Sequence, residues 1–137
     1  DLDGALAATG VEVAPGDIVM VRTGHLYFLR IGEKDRDRTT CPGLSVGTID
    51  WLHDHQVAGV ATDTLVLECF PGEDPAALLP VHMIQLRDMG LAQGQIWALD
   101  ELAADCAADG QWDMQLVATP IPLTGASGGL VAPTAIK

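Results

Sequence analysis

The chain is organised around residues 79–102, LPVHMIQLRDMGLAQGQIWALDEL, which place a histidine inside a helix that otherwise has the pattern of a protein core. His82 shares a helical face with Gln85, Leu86 and Met89, because side chains three, four and seven positions apart lie on one side of a helix. The imidazole is therefore expected to point at least partly inward. Two interpretations stay open: a core histidine held by one hydrogen bond, or a functional ligand.

The composition indicates one well-filled domain. The chain has 137 residues, of which 48% are hydrophobic, and its mean hydropathy is +0.24. This length suits a single domain over residues 1–137, and no apolar run approaches the roughly 20 residues that a bilayer requires. The formal charge of −12 disfavours nucleic acid and anionic membranes as partners, because a polyanion would be repelled.

The cysteines indicate a reducing compartment. Cys41, Cys69 and Cys106 are odd in number, widely spaced and outside any CxxC motif, so they predict neither a disulfide framework nor a thiolate zinc site. No basic and apolar leader opens the sequence. We therefore expect a cytoplasmic protein. Because LDGALAATG begins a helix at once and without Met, we also expect a further segment upstream of Asp1.

Apolar, β-branched runs predict the buried strands. Residues 18–22, IVMVR, are expected to form a central strand, and residues 57–61, VAGVA, a second one. Residues 26–31 are predicted to be extended and residues 32–40 to form a solvated loop. Ser45 is a plausible N-cap of a helix through His55. Because a helix followed closely by an apolar strand is half of a βαβ crossover, we expect an α/β fold with parallel strands.

The last third of the chain is predicted to hold a helix over residues 99–107 and two further strands. Residues 111–123 alternate well enough to form a long strand, although Pro120 and Pro122 place its far end at an edge or in irregular structure. Residues 131–136 are expected to form a last short strand.

Four residues near strand ends are candidates for a substrate pocket. Asp63 follows the second strand, where ligand-facing groups of open α/β sheets lie, although capping of the next segment is an alternative role. His25 lies just past the first strand and is a candidate for the same reason. Tyr27 and Phe28 would line an apolar substrate wall or pack in the core.

Five segments follow one another in a recognisable order along the whole chain. They read PGDIVMVRTG, PGLSVGTIDWLHDHQVAGVATDT, LPVHMIQLRDMGLAQGQ, LDELAADCAADGQWDMQLVATPIPLTGASGG and VAPTAIK. This order resembles the carboxyl-terminal half of the metal-dependent cyclase family, which includes bacterial kynurenine formamidase and isatin hydrolase. The resemblance implies a swivelling β/β/α fold, present as a partial domain with a mixed sheet flanked by helices.

The resemblance also implies a metal-dependent hydrolase of amides, lactams or related carbonyl compounds. In that family a helix histidine and a later glutamate approach the metal. His82 carries over directly as a metal ligand and catalytic residue, whereas Gln95 stands where the glutamate is expected. A neutral amide oxygen brings no charge, so we expect one metal ion instead of two. The alternative for Gln95 is a solvent-facing loop residue.

The main metal motif of the family, HxxxHxD, has no counterpart in these 137 residues. The resemblance therefore implies that an amino-terminal half or a second chain supplies the main ligands of a zinc or manganese ion, together with the general base. It also implies a small-molecule substrate and a homo-oligomer, at least a dimer. The family's Gly-Ser-Pro turn is altered to Gly-Gly-Leu at residues 128–130. A non-catalytic α/β module for assembly or ligand binding is the alternative, marked by Gln95 and Gly129.

Overall fold

The computed structural model describes residues 1–137, apart from the side chains of residues 37 and 38. Its helices are α1 (Leu2–Thr9), α2 (Leu26–Arg30), α3 (Lys34–Thr39), α4 (Thr48–Asp54), α5 (Pro80–His82, continued by a π-helix over Met83–Asp88) and α6 (Asp100–Asp109). Its strands are β1 (Ile18–Val21), β2 (Gly59–Thr62), β3 (Ala92–Gly94), β4 (Gln115–Val117) and β5 (Thr134–Ile136). The prediction of an α/β fold is confirmed.

Strands β1, β2 and β3 form a parallel sheet with β2 in the middle. Every residue of β2 is buried, as its apolar sequence predicts. The prediction that residues 18–22 form the central strand is wrong, because β1 lies at an edge of the sheet and Ile18 is 44% exposed. Val19 and Val21 pack against the core, so an edge strand with one buried face has the same apolar composition as a central one.

Strands β4 and β5 pair antiparallel in a sheet of their own, with Leu116 opposite Ala135. The prediction of one mixed sheet is therefore wrong. The long strand predicted for residues 111–123 is also shortened to β4, since Pro120 and Pro122 have no N–H to extend a ladder. By its internal contacts the chain divides into two compact units, Glu12–Glu101 and a second unit of Asp1–Val11 with Leu102–Lys137.

Two short helices occupy residues for which the sequence predicts other structure. Residues 26–31 are not extended, because the N–H of Ile31 donates to the carbonyl oxygen of Tyr27 at 3.1 Å and closes a turn of α2. Residues 32–40 are not a plain loop, because they contain α3. The highly charged composition of residues 32–40 is equally compatible with a solvated helix, so composition alone does not distinguish the two.

Helix α4 begins at Thr48 without a side-chain cap. Ser45 acts through its carbonyl oxygen, which accepts from the N–H of Thr48 at 3.0 Å, so the predicted side-chain cap is wrong. Helix α5 begins at Pro80, where a missing N–H is harmless. The helical segment ends before Gly90, whose φ is +67°.

The core of the larger unit packs α4 and α5 against the parallel sheet. Its buried residues are Leu44, Leu52, Val57, Val60, Leu67, Val81 and Leu91. Val81 has no exposed surface and therefore fixes its neighbour His82 at the margin of this core. Among the described residues, no helix has the length and apolar character needed to cross a bilayer.

Candidate functional site

Three polar side chains from separate elements meet at the end of α5. Nδ1 of His82 lies 2.6 Å from Oε1 of Glu68, and Nε2 of His82 lies 2.8 Å from Nε2 of Gln95. The side chain of Glu68 is 1% exposed and that of His82 is 17% exposed, while Gln95 is at the surface. The cluster therefore extends from the buried carboxylate of Glu68, through the imidazole of His82, to the amide of Gln95 at the surface.

Glu68 also receives the first backbone N–H groups of α5. Its Oε2 accepts from the N–H of Val81 at 2.9 Å, and its Oε1 accepts from the N–H of His82 at 3.0 Å. A carboxylate at this end of a helix is favoured by the helix dipole. Leu67, immediately before it, is buried and has a φ of +59°, a strained conformation for this residue type.

Glu68 is not among the residues that the sequence predicts for the site. The available signal is a single acidic residue within the apolar run LVLECF, residues 65–70. A carboxylate in such a run is either solvent-facing or buried with hydrogen-bond partners, because burial without partners is very unfavourable. The sequence does not reveal those partners, since they lie 13 and 14 positions further along the chain.

Gln95 is held by a turn that follows β3. The next residues anchor this turn to the carboxyl end of β2: Ile96 N–H donates to the carbonyl of Thr64 at 3.0 Å, and Trp97 N–H donates to that of Thr62 at 3.1 Å. Ile96 has a φ of +60°, which is rare for a β-branched residue. The structure thus brings His82 and Gln95 together, and strained residues adjoin both Glu68 and Gln95.

A cavity of about 580 Å³ opens beside the residues that follow β1. Its walls include His25 and Phe28, together with Cys41 and Phe70 from a neighbouring pair of extended segments. The guanidinium group of Arg36 lies 3.9 Å above the ring of Phe28. The cavity is open to solvent, and its lining mixes polar side chains such as Arg36 with apolar ones.

Asp63 and Tyr27 occupy positions outside this wall. Asp63 is 2% exposed and accepts hydrogen bonds from the N–H of Thr23 at 2.8 Å, from the Thr23 hydroxyl at 2.7 Å and from the N–H of Gly24 at 2.7 Å. Asp63 therefore supports the turn after β1 from behind. Tyr27 is 56% exposed and contacts Phe28 edge to face.

The segment around Cys69 connects the cavity with the cluster. Glu68 belongs to the cluster and Phe70 to the cavity wall, so the thiol lies between them in sequence. Burial raises the pKa of the Cys69 thiol, and the negative charges of Glu73 and Glu68 raise that pKa further. This cysteine is therefore expected to stay protonated near neutral pH.

The cluster offers part of a metal-binding set. Within the described part of the chain, no three His, Cys, Asp or Glu side chains are grouped so that they could hold a metal ion. Glu68 is occupied by α5 and by the His82 ring, so Nε2 of His82 and the amide of Gln95 are the groups that face outward. An imidazole nitrogen and an amide oxygen suit one side of a divalent-ion site, and further ligands would have to come from elsewhere.

Comparisons with known proteins found one similar family model and one similar solved structure. The family model described as "Putative cyclase" matches residues 1–68. A solved crystal structure described as a novel cyclase is similar with a TM-score of 0.87 and 39% sequence identity, over 99% of this chain and 45% of that chain. This chain therefore spans less than half the length of that structure. The search of curated proteins found no match.

Proposed function

We propose that this chain belongs to the cyclase family and that it supplies His82 and Gln95 to the divalent-metal site of a hydrolase. The proposed substrates are amides, lactams or related carbonyl compounds, and the proposed ion is zinc or manganese. The observation that carries the proposal is the 2.8 Å contact between Nε2 of His82 and the side chain of Gln95 at the protein surface. The two residues that the family resemblance selects are thus adjacent in space.

The bound ion would act as a Lewis acid on the substrate carbonyl and would favour ionisation of water. His82 would hold the ion through Nε2, and Gln95 through its amide oxygen after a rotation of the amide, whose nitrogen now faces the ring. Gln95 carries no charge, so it would bind a cation more weakly than a glutamate would. The other ligands and the general base are assigned to an HxxxHxD segment of an amino-terminal half or of another chain, which the greater length of the similar cyclase supports.

The cavity beside β1 is the proposed binding region for the small-molecule substrate. His25 and Phe28 line it, and the buried carboxylate of Asp63 keeps the adjoining turn at Thr23 in place. Tyr27, which contacts Phe28 from the outside, would support the aromatic wall. The mixed lining would suit a small compound that carries both polar and apolar groups.

We also propose a homo-oligomer, a dimer or larger, in the cytoplasm. Large apolar side chains are exposed in both compact units, among them Ile18 in β1 and Leu130. Exposed apolar side chains and a strand at the edge of a sheet favour association. Cys41, Cys69 and Cys106 are free thiols, as is usual in a reducing compartment. Sedimentation analysis would test the association state.

Metal titrations test the proposed ligands. The chain alone is expected to bind Zn²⁺ or Mn²⁺ weakly, and His82→Ala and Gln95→Ala should abolish that binding. His53→Ala is the matched control, because its side chain is 76% exposed and bonds only to the neighbouring Asp54 among the contacts described. Gln95→Glu should tighten binding by about tenfold, because it adds a negative charge to the ligand set.

An activity screen tests whether the active site is shared between this chain and another segment or chain. The chain alone is expected to hydrolyse neither N-formyl anilides nor lactams, since the main ligands and the base are assigned elsewhere. Robust turnover by the chain alone would contradict that division. Unchanged metal binding in both alanine variants would contradict the assignment of His82 and Gln95.

A non-catalytic module is the second candidate function. The orientation of Gln95 favours it, because the amide nitrogen faces Nε2 of His82 and so occupies the atom that a metal would need. A full-length relative of this chain that carries the HxxxHxD segment and yet binds no divalent ion would support the module over the hydrolase.

A further inference from the structure

Glu68 makes more contacts than the start of a helix requires. Its two oxygens accept from the backbone N–H groups of Val81 and His82, at 2.9 and 3.0 Å. Oε1 also lies 2.6 Å from Nδ1 of the His82 ring. An ionised carboxylate can only accept hydrogen bonds, so the ring nitrogen in this third contact must carry the hydrogen.

The opposite side of the ring leads to the same assignment. The side-chain nitrogen of Gln95 lies 2.8 Å from Nε2 of His82. An amide nitrogen carries hydrogens and no acceptor lone pair, so it donates and Nε2 accepts. With the amide in this orientation, both neighbours are satisfied by one tautomer, in which Nδ1 is protonated and Nε2 holds the lone pair.

We propose that Glu68 is a positioning residue that sets this tautomer, and so keeps the Nε2 lone pair of His82 directed outward towards Gln95. The inference rests on the proposed function only where it treats Nε2 as a metal ligand. A histidine that binds an ion through Nε2 needs its Nδ1–H fixed by a carboxylate or carbonyl, which also makes Nε2 more basic. Glu68 is buried and held by backbone groups, so its carboxylate has a fixed position from which to do this.

A purely structural role for Glu68 is the competing explanation. In that case the carboxylate serves only the N–H groups of α5, and the protonated nitrogen of the ring would not depend on residue 68. The two explanations differ in the tautomer of His82, which can be measured without any metal or substrate.

The experiment uses ¹⁵N-labelled full chain and long-range ¹H–¹⁵N spectra of the histidine rings, with His82→Gln as the assignment control. At alkaline pH, the wild-type ring should be protonated at Nδ1 and not at Nε2. Glu68→Gln places an amide that can donate to Nδ1, so the Nε2–H tautomer should become a major species. Glu68→Asp, which keeps the carboxylate, should restore Nδ1–H in part.

Matched variants separate Glu68 from its surroundings. Glu12→Gln changes an exposed acid and should leave the ring signals unchanged. Gln95→Ala removes the neighbour at Nε2 and should leave Nδ1 protonated, because Glu68 sets the tautomer. A wild-type ring protonated at Nε2 or at both nitrogens, or a folded Glu68→Gln chain with wild-type signals, would overturn the proposal. If Glu68→Gln does not fold, the test is the ¹H–¹⁵N spectrum of Gln95→Ala. A His82 ring that is still protonated at Nδ1 in this variant supports the proposal, and a ring that has lost this proton overturns it.

Zn²⁺ titration calorimetry gives the second readout. Loss of an outer carboxylate partner lowers metal affinity by roughly 10- to 100-fold, and Glu68→Gln should show that loss while Glu12→Gln does not. A wild-type chain that has the Nδ1–H tautomer but binds no Zn²⁺ would contradict the proposed metal role and still support the assignment of Glu68. Equal Zn²⁺ affinity for wild type and for a folded Glu68→Gln variant would overturn the positioning role.

Discussion

Asp63 and Glu68 are buried carboxylates that connect the fold to the candidate site. Each accepts hydrogen bonds from two backbone N–H groups and one side chain. A carboxylate tolerates burial only when it is satisfied in this way. Asp63 fixes the turn beside the cavity, and Glu68 fixes the start of α5 and the ring of His82. The same bonds therefore stabilise the protein and orient its polar groups.

Replacing Asp63 by Ala is expected to destabilise the protein by about 3 kcal/mol, because the N–H groups of Thr23 and Gly24 would lose their acceptor. Urea denaturation would measure the change in the free energy of unfolding. Asp113→Ala, at an exposed position, is the control and should change stability by less than about 0.5 kcal/mol. Equal stability of the two variants would contradict the structural role of Asp63.

The thiol of Cys69 is expected to make stability fall at alkaline pH. Burial raises its folded-state pKa, and Glu73 adds to the effect, so the folded chain holds the proton more tightly than the unfolded chain. The contribution of the protonated thiol to stability is complete below the unfolded-state pKa of about 8.5. It is lost as the pH rises through the higher pKa of the folded state. Glu73→Gln removes a negative neighbour and should therefore lower the thiol pKa and speed alkylation at a given pH.

Alkylation rates of Cys69 measured against pH by mass spectrometry would check this expectation. Cys41 serves as the internal comparison within the same samples, since it is buried, and a protease that cleaves after acidic residues separates it from Cys69 at Asp50, Asp54 and Asp63. A Glu73→Gln chain that reacts no faster at Cys69 than the wild type would contradict the electrostatic contribution of Glu73.

Part of the site could be predicted at the level of single residues. The family resemblance selects His82 and Gln95, and the structure places them in contact. Their roles in metal binding and catalysis stay predictions. Glu68 could not be predicted, because the sequence contains no sign that an acid in an apolar run will meet a helix start 13 positions away.

Among the secondary-structure elements, the fully buried strand could be predicted from the sequence, whereas the short helix α2 could not. Strand β2 is apolar and fully buried, and its assignment from sequence is confirmed. Helix α2 has five residues, too few to show helical periodicity, and its aromatic and aliphatic residues also suit a strand. The edge position of β1 depends on neighbours that its own sequence does not specify.

Glycine positions give opposite expectations in two elements. A Cβ at Gly43 would clash with the backbone of Leu67 and Glu68, so Gly43→Ala should destabilise the protein by about 2 kcal/mol or more. A Cβ at Gly4 in α1 would meet nothing within 4 Å, and Gly4→Ala should stabilise by about 0.5–1 kcal/mol through higher helix propensity. Thermal and urea denaturation of the two variants would measure both changes, and a Gly43→Ala variant as stable as the wild type would contradict the close approach at Gly43.

For the whole molecule, charge is the dominant global property. Nineteen acidic residues and seven basic ones give the chain a formal charge of −12. Such a charge produces self-repulsion in the compact state, which salt screens. The midpoint of thermal unfolding is therefore expected to rise as NaCl is added. A variant with Glu12, Glu101 and Asp113 changed to amides should show a smaller rise, and an equal rise would contradict this explanation.

The overall class could be predicted from the sequence more reliably than the organisation of the sheets. Helices followed closely by apolar strands favour parallel pairing, and the parallel sheet is present. The antiparallel pairing of β4 with β5 joins segments separated by prolines and glycines, in which no periodic pattern identifies the partner. The sequence therefore does not specify that this pair forms a separate sheet.

The π-helix after His82 has a consequence for the length of the chain. A π turn contains one residue more than an α turn, so deleting one residue between Met83 and Asp88 would let this segment wind as an ordinary α-helix. Each residue of an α-helix turns the chain by about 100°. Because Glu68 holds the start of α5, such a deletion would turn the residues that follow it and displace the amide of Gln95 from the imidazole, while the composition of the segment stayed nearly the same. The spacing of residues in this segment, as much as their identity, thus determines whether the ring and the amide meet.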